Sequence, residues 1–147
     1  MVAGFGKYDV HAVAGSIYCY PESSVLKNRF GLRDPAKLKA LEADISAIRQ
    51  NGLLENSICG HFSSNHLCRI HQYPFGDIYP FAGHFRREDI IKGTTRFLTH
   101  SEIKAKLIAL LLTLCRESHL RGLSSQQFIE RSAYYFAELN YIHPFRE

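Results

Sequence analysis

The chain has 147 residues, of which 46% are hydrophobic and 22% are charged, and its formal net charge is +4. This length and composition are typical of one globular domain with a single core, and they exclude a disordered or low-complexity chain. The positive charges are spread without a Lys/Arg block, which argues against nucleic acid as a partner and leaves small phosphorylated ligands open.

The N-terminal arm, residues 1–33, mixes Tyr, Pro and Gly without a helical period. Its opening, MVAGFGKYDV, has one lysine and no sustained apolar run, so it predicts neither a secretory signal nor a membrane anchor. No linker-like segment divides the chain. We therefore expect one domain over residues 1–147, with a helical core and a hairpin in residues 34–147, in a cytoplasmic protein without a membrane partner.

The first helix is predicted to begin at Asp34-Pro35, because Asp is a favoured N-cap and Pro is favoured at the first helical position. The sequence Asn51-Gly52 is expected to end it. One face of this helix carries four apolar residues at helical spacing: Leu38, Leu41, Ile45 and Ile48.

A second, short helix is predicted from Ser63 to the region of Pro74 and Gly76, which must end it. It contains the sequence HLCRIH, which suggests a metal site. On a helix, however, His66 and His71 lie about 140° apart, so their rings do not converge as tetrahedral zinc ligation requires. We therefore do not expect zinc here.

The chain has four cysteines: Cys19, Cys59, Cys68 and Cys115. They are widely spaced, form no CxxC pair and lack a secretory context. Reduced thiols in the core are the expected state.

A change of period marks the stretch HFRREDIIKGTTRFLT. β-Branched and aromatic residues flank Lys92-Gly93-Thr94, and a glycine-containing break between two short runs of this kind predicts a β-hairpin. From the residues alone, the simplest interpretation of one hairpin in a helical chain is a surface excursion.

A third helix is predicted after Thr99 and Glu102, which form a capping-box pattern. Its leucine-rich stretch, IKAKLIALLLTL, contains two lysines and is too short to span a bilayer. We expect it to be buried through a wide apolar stripe: Ile103, Leu107, Leu110, Leu111 and Leu114.

The fourth helix is predicted to begin at a second capping box, Ser124 with Gln127, and to end at about Ile142. Four aromatic or aliphatic residues continue its apolar face: Phe128, Tyr135, Phe136 and Leu139.

The last residues, HPFRE, combine groups that can do chemistry. Pro144 disfavours helical dihedrals at His143, which is therefore expected in extended backbone just beyond the helix. The helix dipole favours protonation there, and a histidine that titrates near neutrality can also accept a proton from a hydroxyl. We expect Phe145 to point into the core and Arg146 to point to solvent, while Glu147 offers an oxygen ligand of the type that Mg²⁺ accepts. Taken alone, HPF favours the simpler interpretation, a helix stop with a buried aromatic.

Four segments together carry a more specific signal: YCYPESSVLKNRFG, IHQYPFGDIYPFAGHFR, IIKGTTRF and AELNYIHPFRE. In this order and at these separations the sequence resembles the Fic family (filamentation induced by cyclic AMP) from about Tyr18 to the final residue. The resemblance implies a mainly α fold, a Fic-type helical bundle with one small β-hairpin flap. It also implies transfer of AMP from ATP, with Mg²⁺, to a Ser, Thr or Tyr hydroxyl of a target protein.

The resemblance assigns roles to individual residues. It makes His143 the general base, Phe145 the loop anchor and Glu147 the holder of Mg²⁺. The hairpin becomes the flap that covers the nucleotide and docks the target, and this replaces the interpretation as a surface excursion. The flap residues are Ile91, Lys92, Gly93 and Thr94.

The family's active loop continues past the acidic residue as Gly-Asn-Gly-Arg and a further Arg, whereas this sequence stops at Glu147. We therefore expect a C-terminally truncated Fic domain that is nearly inactive, because the missing residues would supply the backbone nest for the phosphates. Two alternatives stay open, a non-catalytic remnant or binding module and a Doc-like phosphotransferase. The codons that follow Glu147 would separate the three.

The same ending predicts uncovered apolar faces on the helices at 100–117 and 125–141, to be buried in a homodimer or against another chain. The family's inhibitory pattern has only a near match, Thr113 to Glu117, followed by Ser118. Inhibition is therefore expected from a further C-terminal segment or from a separate antitoxin chain. Translocation into a host cell is the alternative to a cytoplasmic location.

Overall fold

The computed structural model describes residues 15–146 and is mainly helical, as expected. Two short 3-10 turns, His100–Glu102 and Ser118–Leu120, precede the third and fourth helices. The regular elements in chain order are α1 (Pro35–Glu55), α2 (Ser64–Phe75), β1 (Ile91–Lys92), β2 (Thr95–Arg96), α3 (Ile103–Arg116) and α4 (Ser125–Ile142).

Helix α1 begins where its cap predicts. The Asp34 carboxylate accepts the backbone N–H groups of Ala36 and Lys37 at 2.8 and 3.2 Å. Leu38 is buried on the inner face, whereas Ile48 is 71% exposed, so the predicted apolar face is wrong at its last member.

The predicted end of α1 at Asn51-Gly52 is wrong, because the helix continues to Glu55. A Cβ atom at position 52 would lie 2.8 Å from the Tyr73 hydroxyl of α2. Glycine at this position therefore allows α2 to approach α1 closely, and it does not act as a helix stop. The helix ends one turn later, where the Asn56 N–H donates to the Gly52 carbonyl at 2.9 Å.

One hydrophobic cluster joins the arm, α1 and the segment after α2. It supports α2, which begins directly after its N-cap Ser63 and ends at Phe75, just before Gly76, as predicted. The Ser63 hydroxyl accepts the His66 N–H at 3.2 Å. The buried members of the cluster are Val25, Leu38, Ile78, Tyr79 and Ala82.

A second cluster lies between α3, α4 and the end of the hairpin segment. Its buried members are Leu98, Ile103, Leu107, Leu110 and Ile142. This cluster holds the C-terminal end of α4, and with it the last residues of the chain, against the hairpin segment.

The start of α3 differs from the prediction. The Thr99 hydroxyl donates to the Glu102 carboxylate and accepts no backbone N–H, so the predicted capping box does not form. The chain instead makes a 3-10 turn before α3. At α4, by contrast, the predicted box is complete, with Ser124 accepting from the Gln127 N–H and the Gln127 amide accepting from the Ser124 N–H.

The outer faces of α3 and α4 are exposed. The predicted apolar stripe of α3 is buried or half-buried, as expected, whereas most of the rest of the helix is exposed. The expected core positions Phe128 and Phe136 are also exposed, whereas Tyr135 and Leu139 pack on the second cluster. Uncovered apolar side chains on these two helices agree with the expectation from the sequence: Ile108, Leu112, Phe128, Ile129 and Phe136.

All four cysteines are unpaired, as expected, but Cys59 and Cys115 are exposed rather than in the core. Among residues 15–146, no helix has the length and apolar character that a membrane span needs.

The two faces of α3 provide a stability test. Leu107 is fully buried, and we expect Leu107→Ala to lower the free energy of unfolding by about 2–5 kcal/mol, because it leaves a cavity in the second cluster. Leu112 is 52% exposed on the same helix, and Leu112→Ala should change it by no more than about 0.5 kcal/mol. Urea denaturation of the two variants measures both values, and equal losses would contradict this description of the core.

Candidate active site

The site is built at the C-terminal end of α4. The helix ends at Ile142, as predicted, and Ile142 is fully buried in the second cluster. His143 follows with φ 43° and ψ 66°, so the predicted extended backbone is wrong. The left-handed conformation also avoids the right-handed α region that Pro144 disfavours, and it lets the His143 N–H donate to the Leu139 carbonyl at 2.9 Å. Histidine is one of the residues that adopt this conformation more readily than most.

The His143 imidazole is half-buried and stacks on Phe97, with ring centroids 4.3 Å apart and planes 20° from parallel. Burial, with smaller contributions in the same direction from the nearby cations Arg86, Lys92 and Arg146, lowers its pKa from 6.5 to about 4. The expectation that the helix end favours the protonated form is therefore wrong, since burial and three positive charges outweigh the dipole. At neutral pH the ring is uncharged.

Phe145 points toward α2, in the direction expected. Its ring stacks on His71 with centroids 3.8 Å apart and an interplanar angle of 12°, and it lies 5.8 Å from the ring of Phe85. The His71 Nδ1 accepts the Gly83 N–H at 2.9 Å, and burial lowers the pKa of His71 to about 4. Phe145 thus stacks on a neutral imidazole that is itself fixed to the backbone.

Arg146 is buried, so the prediction that it points to solvent is wrong. Its positive charge acts on the Tyr18 phenol, whose pKa burial raises, and on the His143 imidazole, whose pKa burial lowers, so the cation lies near both groups. The next residue, Glu147, lies outside the described residues, and with it the predicted Mg²⁺ ligand.

A buried arginine that the sequence reasoning did not single out lies beneath the site. The side chain of Arg86 has no exposed surface, and burial lowers its pKa while Asp89, at 3.8 Å, opposes that shift. Its N–H groups donate to four main-chain carbonyls, two that flank the hairpin and two at the end of α4: Glu88 and Leu98, and Ile142 and His143.

The only sequence signal for this residue was its place at the end of IYPFAGHFR, one of the four segments that carry the family resemblance. Its neighbour Arg87 is exposed. Two adjacent arginines look alike in sequence, and only packing separates them.

The hairpin forms at the predicted position. Ile91 pairs with Arg96 and Lys92 pairs with Thr95, and Gly93 has φ 56°, which is required at the first position of a type II′ turn. The Phe97 N–H donates to the Ile90 carbonyl at 3.3 Å, so that pair is hydrogen-bonded.

Hydrogen-bonded and non-hydrogen-bonded pairs alternate along an antiparallel ladder. The next pair, Ile91 with Arg96, is therefore a non-hydrogen-bonded pair, and the N–H and C=O groups of Ile91 point away from β2. The hairpin presents one donor and one acceptor on its outer edge.

The predicted site residues are partly brought together. Phe97, at the base of the hairpin, contacts His143, and Lys92 is near enough to act on its charge. Ile91 and Thr94 are exposed on the hairpin itself. Within residues 15–146, no three His, Cys, Asp or Glu side chains converge as metal ligands would.

Comparisons with known proteins agree with this arrangement. The family model described as "Fic/DOC family" matches residues 61–147. Protein adenylyltransferase VbhT of Bartonella schoenbuchensis is 40% identical over 130 residues, which cover 88% of this chain and 27% of that protein. The probable protein adenylyltransferase Fic of Salmonella typhimurium is 35% identical over 129 residues, 88% of this chain and 64% of the relative. This chain therefore spans less than two thirds of the length of either relative.

Two solved structures share the fold. The BepC protein of Bartonella tribocorum, with bound AMPPNP, has a TM-score of 0.83 and 28% identity over 88% of this chain and 69% of its own. A Fic domain of a putative cell filamentation protein from Bartonella quintana, with bound ADP, has a TM-score of 0.81 and 29% identity over 88% of this chain and 68% of its own. On the family match and the identity to its relatives, this chain belongs to the Fic/DOC family.

Proposed function

We propose that this chain supplies the base and the target-docking hairpin of an enzyme that transfers AMP from ATP to a hydroxyl group of a target protein. The observation that carries the proposal is an uncharged His143 imidazole, held against the base of an exposed-edge hairpin and surrounded by three cations. Relatives named protein adenylyltransferases and related structures that hold AMPPNP or ADP support it.

In the proposed reaction, the target hydroxyl oxygen attacks the α-phosphorus of ATP, its proton passes to His143, and pyrophosphate leaves. A neutral imidazole is the form that can accept this proton. Two of the cations that lower its pKa, Lys92 and Arg146, also attract a polyphosphate. Once the phosphates are bound, their negative charge raises the pKa of His143 and makes it a stronger base.

Phe145 anchors the loop in this proposal, because its ring stacks on His71 and so restricts the position of the loop that carries His143. Glu147 would hold Mg²⁺, which supplies charge neutralisation on the phosphates when it is bound. The described residues around His143 contribute cations, which suit phosphate oxygens, so the metal assignment rests on the family resemblance alone.

The hairpin serves two purposes in the proposal. Lys92, Gly93 and Thr94 form its tip and cover the nucleotide. The outward N–H and C=O groups of Ile91 pair with an extended target segment, which orients the hydroxyl without demanding a particular target sequence.

The first test concerns the base. We expect a protein extended through Gly-Asn-Gly-Arg to transfer labelled AMP from ATP in the presence of Mg²⁺, and His143→Ala to reduce the rate by about 10²- to 10⁴-fold, the usual contribution of a general base. Replacing His61, which is exposed outside the site, is the matched control. Residues 1–147 alone should give no label, because they lack the phosphate nest. Undiminished labelling by His143→Ala would refute the assigned role.

The second test concerns the hairpin edge. Ile91→Pro removes one outward N–H that the hairpin does not use, whereas Ile91→Ala keeps it. We expect the proline variant to lose most target modification while ATP affinity changes little, and the alanine variant to retain most of its activity. Titration calorimetry with ATP and a labelling assay separate the two effects. Equal losses of binding and modification would show that the hairpin only covers the nucleotide.

The third test measures the protonation state of the base. In residues 1–147 we expect the His143 ring protons to titrate by NMR at about pH 4, assigned by their absence in His143→Ala. Because the folded-state pKa lies below the ordinary value of 6.5, the unfolded chain binds more protons between these values. The free energy of unfolding therefore has its full value above about pH 6.5 and decreases as the pH falls toward 4. A midpoint near 6.5 would contradict the described burial.

A further inference from the structure

The guanidinium of Arg86 joins two segments that are distant in sequence. Its Nε–H donates to the His143 carbonyl at 2.7 Å across a separation of 57 residues. Another of its N–H groups donates to the Glu88 carbonyl at 2.7 Å, just before the hairpin. The Arg86 backbone N–H also donates to the Pro144 carbonyl at 2.8 Å. The carbonyls of the first two residues after α4 are thus held by one arginine.

The ring that stacks on His143 depends on the same group. The Leu98 carbonyl, next to Phe97, accepts from the Arg86 guanidinium, and the Leu98 N–H donates to the Tyr141 carbonyl at 3.1 Å. Arg86 therefore fixes the backbone of His143 on one side and the backbone beside its stacking partner on the other.

Stability alone is a poor explanation for this arrangement. Taking a cation out of water costs several kcal/mol, and its nearest carboxylate, Asp89, is about half exposed at 3.8 Å. The geometry instead exploits what only arginine offers, a rigid planar fork of five donors that can hold several carbonyls at fixed angles. Lysine has three donors on a flexible stem and cannot reproduce it.

We propose that Arg86 is a positioning residue that holds His143 in its left-handed conformation, with the imidazole on Phe97, and so couples the base to the hairpin. The inference rests on the proposed role of His143 as the base. Arg86 contacts neither substrate in this proposal and acts through the loop. Its loss should therefore impair the orientation of the ring and the chemical step, with little effect on ATP binding.

The experiment on residues 1–147 measures ring position directly. Stacking on Phe97 at 4.3 Å shifts the His143 ring protons, and Phe97→Leu gives their unstacked reference. We expect Arg86→Gln to move these NMR shifts most of the way to that reference and Arg86→Lys to move them partly. Arg87→Gln, at the exposed neighbour, should leave them unchanged.

Methyl shifts of Leu107 and Ile142 report whether the second cluster is intact in each variant. If Arg86→Gln does not fold, the test rests on Arg86→Lys, which keeps the positive charge but lacks the planar guanidinium donors. The proposal is overturned if the His143 ring protons keep their wild-type NMR shifts in folded Arg86→Lys and, where that variant folds, in Arg86→Gln.

The kinetic arm uses the protein extended through the active loop. We expect Arg86→Lys to lower kcat by about 10-fold or more, because small misplacements of a catalytic group are costly, with KM for ATP within about 3-fold of wild type. A change in KM alone would overturn the positioning role. If the extended wild type transfers no AMP, the proposed function fails, while the NMR shifts still decide whether Arg86 orients His143.

Discussion

The arrangement of the site depends on one buried cation. Arg86 is enclosed between the hairpin segment and the end of α4, and its donors satisfy main-chain carbonyls from both. The Ile142 and His143 carbonyls lie at a helix end, where no further helical N–H group is available to them. A buried carbonyl without a partner is costly, so the guanidinium both satisfies the end of α4 and links it to the hairpin. The conformation of His143 and the position of the hairpin are thus parts of one hydrogen-bonded unit.

The electrostatics of the site follow from the same enclosure. Burial and three cations keep His143 neutral, and burial keeps His71 neutral beneath Phe145. A neutral imidazole in a positive field suits a site that must first attract a polyanion and then accept a proton. Burial is the larger cause of the low pKa of His143, and in the proposed reaction the negative charge of the phosphates would oppose the smaller contribution of the cations.

The two hydrophobic clusters hold different parts of the site. The first supports α1 and α2, and His71 of α2 stacks on Phe145. The second holds α3 and α4 through Ile142, directly before His143. The exposed outer faces of α3 and α4, with Leu112 and Phe136, lie outside both clusters. His143 thus directly follows a fully buried residue of the second cluster.

The sequence by itself determined the features that depend on neighbours in the chain. The caps at Asp34, Ser63 and Ser124, the turn at Gly93 and the end of α4 all follow from local hydrogen bonds and dihedral preferences, and all were predicted. The segments around HPF also carried enough information to place the chain in its family. Gly52 was misjudged because its role is contact with another helix.

Only the tertiary structure decided which polar groups are buried. Arg86 and Arg87 are indistinguishable in sequence, yet one is enclosed and the other exposed. The burial of Arg146, the left-handed backbone of His143 and the low pKa of its ring were likewise not predicted. Burial and electrostatic field at these positions depend on segments that are tens of residues apart in sequence, such as Arg86 and His143, which are separated by 57 residues. A local sequence pattern therefore cannot predict them.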